Sequence, residues 1–306
     1  MKNRWFEGSE AVDNEAHHTK LDGWSSSQLK VLLDEGAATF CAKYITKTKP
    51  AEEKENKNFE IGTIIHEAIL EPEKYEKNKV LVSANQRVKK KGEDEVAEEG
   101  ADEVAEEGED LTSTKKRKTK KPSSTLIIEP HQHVVTPKIA YIIDQVRINI
   151  SKNPFLSELV SDGVAEISGV AESKGLKYKI RPDIRHPEYI VDLKTTTFSI
   201  RPYTTVMTII SCYYMLQAVF YLNVAALIDG KNAPKKFIWL FIHKGTGEIV
   251  PISLSPEMKT AGIELLRAAL VKLRTGLETN KWPAKFENSG VLELSLPHYF
   301  KVGDYI

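Results

Sequence analysis

Cysteine is nearly absent. The 306 residues hold two, Cys41 and Cys212, too few for a disulfide framework, a four-cysteine zinc site or a cysteine-held iron–sulfur cluster. Both are expected as buried thiols. An excess of one charge is also lacking: 43 Lys and Arg balance 43 Asp and Glu, which excludes a strongly basic protein that coats DNA through bulk charge. No apolar run approaches the roughly 18 residues of a transmembrane helix, and the start MKNRWFEGSE has no signal-peptide apolar core. A cytoplasmic chain without membrane contact is therefore expected. No G-x-S-x-G nucleophile elbow occurs, which sets aside serine-esterase chemistry. The length suits one large α/β domain or about two smaller ones, and allows a sizeable core.

What is present first is segregated charge. Glu93 to Asp110 carries eleven acids and no base, with DEVAEEG at 94–100 repeated at 102–108. RVKKK (87–91) precedes this block and KKRKTKK (115–121) follows it. Such blocks resist burial. Residues 85–124 are accordingly expected to be a flexible insertion within a single domain spanning 1–306. It is either a solvated surface loop or a basic tether to DNA screened by the acids. Removing it leaves a body that is still near neutral.

Around the insertion the apolar periodicity is helical and then strand-like. Helices are expected over Ser25–Glu35, opened by a Ser25/Gln28 capping box, over Phe59–Leu70 before Pro72, and over Ile139–Ile150. From Gly163 the period becomes two. GVAEISGVAE and LKYKIRPDIR read as a hairpin around Ser-Lys-Gly, and YIVDLKTTT as a third antiparallel strand. A long helix over about Thr205–Ile228 follows, then a hairpin of KFIWLFIHK and TGEIVPISL. A last helix opens at Ser255 and Pro256, with an apolar stripe at Ile263, Leu266, Leu270, Leu273 and Leu277. The order is α, three antiparallel strands, α, strand pair, α, which reads as an α/β fold.

The chemistry concentrates in RPDIRHPEYIVDLKTTT. If Arg185 lies opposite Ile190, then Ile184 faces Val191 and Asp183 faces Asp192. Directly opposed residues sit about 4.5–5.5 Å apart, and two carboxylates that close repel unless a cation lies between them. Lys194 shares their face, opposite Arg181 in this register, while Ile180, Ile184, Val191 and Leu193 take the other. Two acids and two bases on one face suit a divalent cation plus a phosphate, or a pair of cross-strand salt bridges on a solvated face. Asp is disfavoured in strands, and Asp192 interrupts an apolar run.

Pro182, Asp183, Asp192 and Lys194 resemble the PD-(D/E)XK nuclease motif. GTIIHEAIL, with Gly62 and His66, and Gln217-x-x-x-Tyr221 match its RecB-like subgroup, and the whole set resembles the nuclease domain of RecE-type exonuclease VIII. The resemblance implies a restriction-endonuclease-like α/β core, with helices flanking a central mixed β-sheet. It also implies a Mg²⁺ or Mn²⁺ site made by His66, Asp183, Asp192 and the Leu193 carbonyl. Hard oxygen donors and an imidazole suit those ions. Lys194 would position or deprotonate the attacking water and stabilise phosphate charge. Gln217 and Tyr221, one helical turn apart, would contact the scissile phosphate or a metal-bound water.

Ser25, Ser27, Lys30 and Arg181 are weaker candidates for DNA phosphate contacts. Glu67, Glu71 and Glu166 rank lower as extra metal ligands. The implied function is an exonuclease degrading linear double-stranded DNA from 5′ to 3′, leaving 3′ tails for recombination. A homo-oligomeric ring, a RecT-like annealing partner and a phage setting go with it. Alternatives are a structure-specific or single-strand DNA nuclease of the same fold, and a catalytically inactive DNA-binding module.

Overall fold

The structure, a computed structural model, describes residues 3–49, 57–83, 86–91, 125–287 and 290–291. After β1 (Arg4–Phe6), polar caps open the first helices. Asp13 accepts the Ala16 N–H before α1 (Asn14–Thr19), and Ser25 with Gln28 forms the expected capping box of α2 (Ser26–Asp34). The short α3 (Ala37–Phe40) precedes α4 (Lys57–Leu70), which stops where Pro72 opens α5 (Pro72–Asn78). Next come β2 (Lys79–Leu81), β3 (Arg87–Lys90), β4 (Thr125–Ile128) and β5 (His133–Val135). β2 pairs with β5 and β3 with β4, both parallel. The basic run RVKKK is therefore largely strand rather than the start of a loop, because the backbone of Thr125–Ile128 satisfies its ladder. The acidic repeat and second basic run lie outside the described residues.

Two capped helices follow, α6 (Pro137–Lys152) behind Thr136 and α7 (Pro154–Ser161) behind Asn153. The expected long hairpin then splits into β6 (Val164–Ala165), β7 (Ser168–Ser173), β8 (Leu176–Ile180) and β9 (Ile184–Arg185), before β10 (Tyr189–Thr196). β7 and β8 turn at Lys174 and Gly175, both at positive φ, and form a three-stranded sheet in the order β1-β7-β8. β6 and β9 belong to the main sheet. Both expected strands thus cross between sheets, one at Glu166 and the other at Arg181–Asp183. Pro182 has no N–H for a ladder, and Glu166 is held at φ 52°, a left-handed conformation that costs about 1–3 kcal/mol in a non-glycine residue. The Glu166 N–H donates to the Asp183 carbonyl at 2.9 Å, tying the two crossings together.

Two pairs of the expected register are present, Arg185 with Ile190 and Ile184 with Val191, but the ladder ends there and does not include Asp183 opposite Asp192. It does not extend to Arg181 opposite Lys194, because the crossing sends Ile180 into a different core. The expected long helix is also two: α8 (Pro202–Ser211) and α9 (Tyr214–Asp229), bent by 68° at a break where Tyr213 has φ 54°. β11 (Lys236–His243) runs parallel to β10 over its whole length. β12 (Ile249–Ser253) returns antiparallel, and α10 (Pro256–Thr279) closes the fold behind its Ser255 cap. The main sheet has the order β12-β11-β10-β9-β6, a mixed five-stranded sheet flanked by helices, as expected.

One face of this sheet buries Ile184, Val191, Leu193, Leu240 and Ile242 against α4, α6 and α7. The other buries Ile190, Phe237, Trp239 and Phe241 against Ile209 of α8 and one side of α9. The opposite side of α9 packs Leu216, Val219 and Phe220 against α2, α10 and the smaller sheet. α9 is therefore apolar all round, as a helix between two sheets must be. α10 buries Leu266 and Leu273 of the expected stripe together with Gly262, Ala269 and Gly276, packs Leu270 partly against the same core, and leaves Ile263 39% and Leu277 42% exposed. Close packing explains the choice of face: a Cβ on Gly262 would lie 2.5 Å from the Met215 carbonyl oxygen of α9. The cysteines depart from expectation too, Cys41 being half-buried and Cys212 exposed at the break before α9. No single helix among the described residues is long and apolar enough to cross a membrane.

Candidate active site

β10 places Val191 and Leu193 in the core, so Asp192 and Lys194 point the opposite way. Asp192 is 2% exposed and held from two sides. Gln217 Nε2 of α9 donates to its Oδ1 at 2.8 Å, and Lys194 Nζ lies 2.5 Å from its Oδ2 as an ion pair. A glutamine inside an apolar helix needs a partner, and this carboxylate is that partner. Burial pulls the Lys194 pKa down, but Asp192 and Asp183 outweigh it and hold it above the usual lysine range. In the metal-free site Lys194 is therefore held as an ammonium beside Asp192, placed to bind negative charge.

Asp183 sits at the crossing between sheets. Its Oδ2 accepts the Leu193 N–H at 2.5 Å and lies 3.7 Å from His66 Nδ1 of α4. Burial, then the neighbouring Asp192 and Glu166 carboxylates, push its pKa well above the ordinary value. Burial, then the Lys194 charge, lower His66 to about 4, while a backbone contact with Leu193 works the other way. The imidazole is thus neutral near pH 7, with a lone pair to give. Ligand atoms of His66, Glu166 and Asp183 all lie within 4.8 Å of one another. One neutral imidazole and two crowded carboxylates form a donor set for a hard divalent cation. The same crowding is unfavourable without one.

These groups open into a cleft of about 860 Å³. His66, Asp183, the Leu193 backbone region, Lys194, Tyr221, Arg181, Ser25 and Ser27 line it, whereas Asp192 and Gln217 stand behind as its support. Tyr221 donates to the Arg181 carbonyl at 3.3 Å, and burial, then Asp192, raise its phenol pKa. Ser25 caps α2 at the rim. Lys30 is not a lining residue. It lies 4.9 Å over the Tyr214 ring, where burial and then Lys194 lower it to about 8.

Arg181 is turned inward to Glu166 rather than outward to a phosphate, with Nε 2.6 Å from Oε2. Of the three lower-ranked acids, Glu166 reaches the donor set. Glu67 is engaged by Asn78, His133 and Lys74, and Glu71 by Lys74. Tyr214 is a site residue that sequence reasoning missed: its ring lies 4.7 Å under Lys194. It sits one turn before Gln217 on the same helix, a spacing that could have drawn attention to it.

Gly62 brings α4 against β10. A Cβ there would lie 2.9 Å from Thr195 Oγ1, and Thr195 is a stiff, β-branched neighbour. Gly62→Ala is expected to cost about 1–3 kcal/mol. It should also weaken metal binding by displacing His66, both readable from thermal melts with and without Mn²⁺.

A carboxylate after Pro182 at the crossing into a mixed sheet between helices, a second carboxylate on a strand of that sheet and a lysine two residues later define a PD-(D/E)XK-like protein. Residues 25–294 match the family described as the PDDEXK-like domain of unknown function (DUF3799), and the chain belongs to that family. A crystal structure from Eubacterium rectale, described as a "Putative exonuclease", is similar over 94% of this chain and 96% of its own, with a TM-score of 0.56 at 11% identity. That likeness shows the fold. SSO0001 aligns over 44% of this chain and 59% of its own at 16% identity with a TM-score of 0.26, and carries no argument. No curated protein matches the chain.

Proposed function

We propose that the chain is a metal-dependent DNA exonuclease. The observation that carries this is the convergence of His66, Glu166 and Asp183 beside the Asp192–Lys194 pair in an open cleft. His66, Asp183 and Glu166 would hold Mg²⁺ or Mn²⁺, with Asp192 and the Leu193 carbonyl as further donors. The bound ion would supply Lewis-acid stabilisation of phosphate charge and a more acidic water.

The remaining chemistry belongs to the chain. Lys194, lining the cleft beside Asp192, is placed to bind a non-bridging phosphate oxygen and to position the incoming water. Gln217 fixes the Asp192 carboxylate, which in turn fixes the Lys194 ammonium. Tyr221 keeps its proton and donates. The start of α2, with Ser25 and Ser27 on the cleft wall, offers backbone N–H groups to a flanking phosphate.

The likeness of this residue set to RecE-type exonucleases supports linear double-stranded DNA as substrate, 5′-to-3′ polarity, and 3′ tails handed to a RecT-like annealing protein. A ring-shaped homo-oligomer and a cytoplasmic phage recombination role belong to the same reading. The test uses linear duplexes labelled at the 5′ or the 3′ end, beside a closed circle, with Mg²⁺ or Mn²⁺. Early release of the 5′ label with the circle intact is expected. Cutting of the circle would instead indicate a structure-specific or other endonuclease, and binding without cleavage under any divalent ion an inactive module.

A further inference from the structure

Residues 12–21 precede the family match, which begins at residue 25, yet they are hydrogen-bonded into the active site. Asn14, His17 and His18 line the same cleft as His66 and Asp183. The attachment is buried and specific. Lys179, 7% exposed, donates to the carbonyls of His17, His18 and Leu21 at 3.1, 3.2 and 2.9 Å, gathering the end of α1 onto β8. His17 Nδ1 lies 3.0 Å from the fully buried Ser168 hydroxyl, which also accepts from Arg181 Nη1 at 3.1 Å. The same Nη1 donates to the Val12 carbonyl at 2.6 Å, and Nε donates to Glu166 Oε2 at 2.6 Å.

The Arg181 guanidinium therefore spends its fork on three acceptors: the amino-terminal segment, β7 and Glu166. Glu166 needs such a hold, because it leaves its strand in a left-handed conformation that the backbone alone does not favour. We propose that Arg181 is a positioning residue. It joins the segment Val12–Leu21 to Glu166 and fixes that carboxylate as the third protein ligand beside His66 and Asp183. This rests on the metal-site reading above. It adds that a segment upstream of the family match is part of the active centre.

The test titrates Mn²⁺ into the 306-residue chain, followed by calorimetry and by the Mn²⁺ electron paramagnetic resonance signal, with thermal melts as the folding control. Arg181→Met is expected to weaken Mn²⁺ binding about ten-fold or more, the range for a group that orients a ligand. Arg181→Lys should weaken it as well, because it keeps the charge but loses the fork. Glu166→Gln should weaken binding at least as much, and Arg181→Met should then add nothing in that background. Ser168→Ala, which removes one anchor of the guanidinium, should give a smaller loss, and it carries the test if Arg181→Met fails to fold.

Wild-type affinity in Arg181→Lys or Ser168→Ala would overturn the proposal. So would an undiminished effect of Arg181→Met in the Glu166→Gln background. A chain that binds Mn²⁺ with the expected pattern but leaves DNA intact would sink the nuclease reading and leave this one standing. A wild-type chain that binds no Mn²⁺ would sink both.

Discussion

Asp192→Ala is expected to lower cleavage of linear duplex DNA by about 10³-fold or more, the scale of losing a principal electrostatic element of such a site. It should also destabilise the protein. The Lys194 ammonium is 17% exposed and its partner 3%, so the substitution strands a largely buried charge and leaves the Gln217 amide without its acceptor. The low end of the range for breaking a buried pair, about 3 kcal/mol, applies. Lys194→Ala should lose activity to a similar degree with a smaller stability loss when Mn²⁺ is present, because Asp192 keeps Gln217 and can face the cation. Steady-state cleavage and denaturant melts on both variants check this. An Asp192→Ala protein that is as stable as wild type would mean that the pair is not the support described.

Asp183→Asn is expected to separate stability from activity in the opposite sense. Burial and two neighbouring carboxylates raise the folded pKa of Asp183. Between its unfolded and folded pKa values the metal-free native state therefore binds more protons than the unfolded chain, and loses stability as pH rises through that interval. Asparagine removes the charge while keeping an acceptor for the Leu193 N–H. The metal-free variant should then melt about 2 °C or more above wild type, by a margin that widens as pH rises. Cation should reverse the order, since ligand at about 100 times its Kd stabilises the wild type by about 2.7 kcal/mol and the variant hardly at all. Cleavage by the variant should fall by about 10³-fold or more. Melts across pH with EDTA or Mn²⁺ read all of this, and a variant less stable than wild type without metal would contradict it.

Much of this geometry was legible locally. Ser25 with Gln28, Pro72, and Ser255 with Pro256 mark helix ends because capping chemistry is short-range. The Arg185–Ile190 register is an assumption at the level of sequence, which the ladder bears out for that pair and for Ile184 with Val191. Alternation does not say which sheet a strand joins, so LKYKIRPDIR read as one strand although the chain changes sheets at Arg181–Asp183. The same crossing kept Glu166 among the lower-ranked acids, because its position depends on a left-handed backbone and an arginine fifteen residues on. The break before α9 was masked because the chain is apolar on both sides of Tyr213. On α10, large residues suggested a stripe, whereas close approach at Gly262 decides which face is buried.

The cluster of His66, Glu166 and Asp183, with Asp192 and Lys194, is proposed to hydrolyse DNA through a bound divalent ion. The most direct measurement is release of acid-soluble nucleotide from linear duplex DNA by purified wild-type chain in Mg²⁺ or Mn²⁺, in EDTA, and by Asp192→Ala in Mg²⁺. Release in the first condition and none in the other two is expected. Equal release in EDTA, or undiminished release by Asp192→Ala, would contradict it.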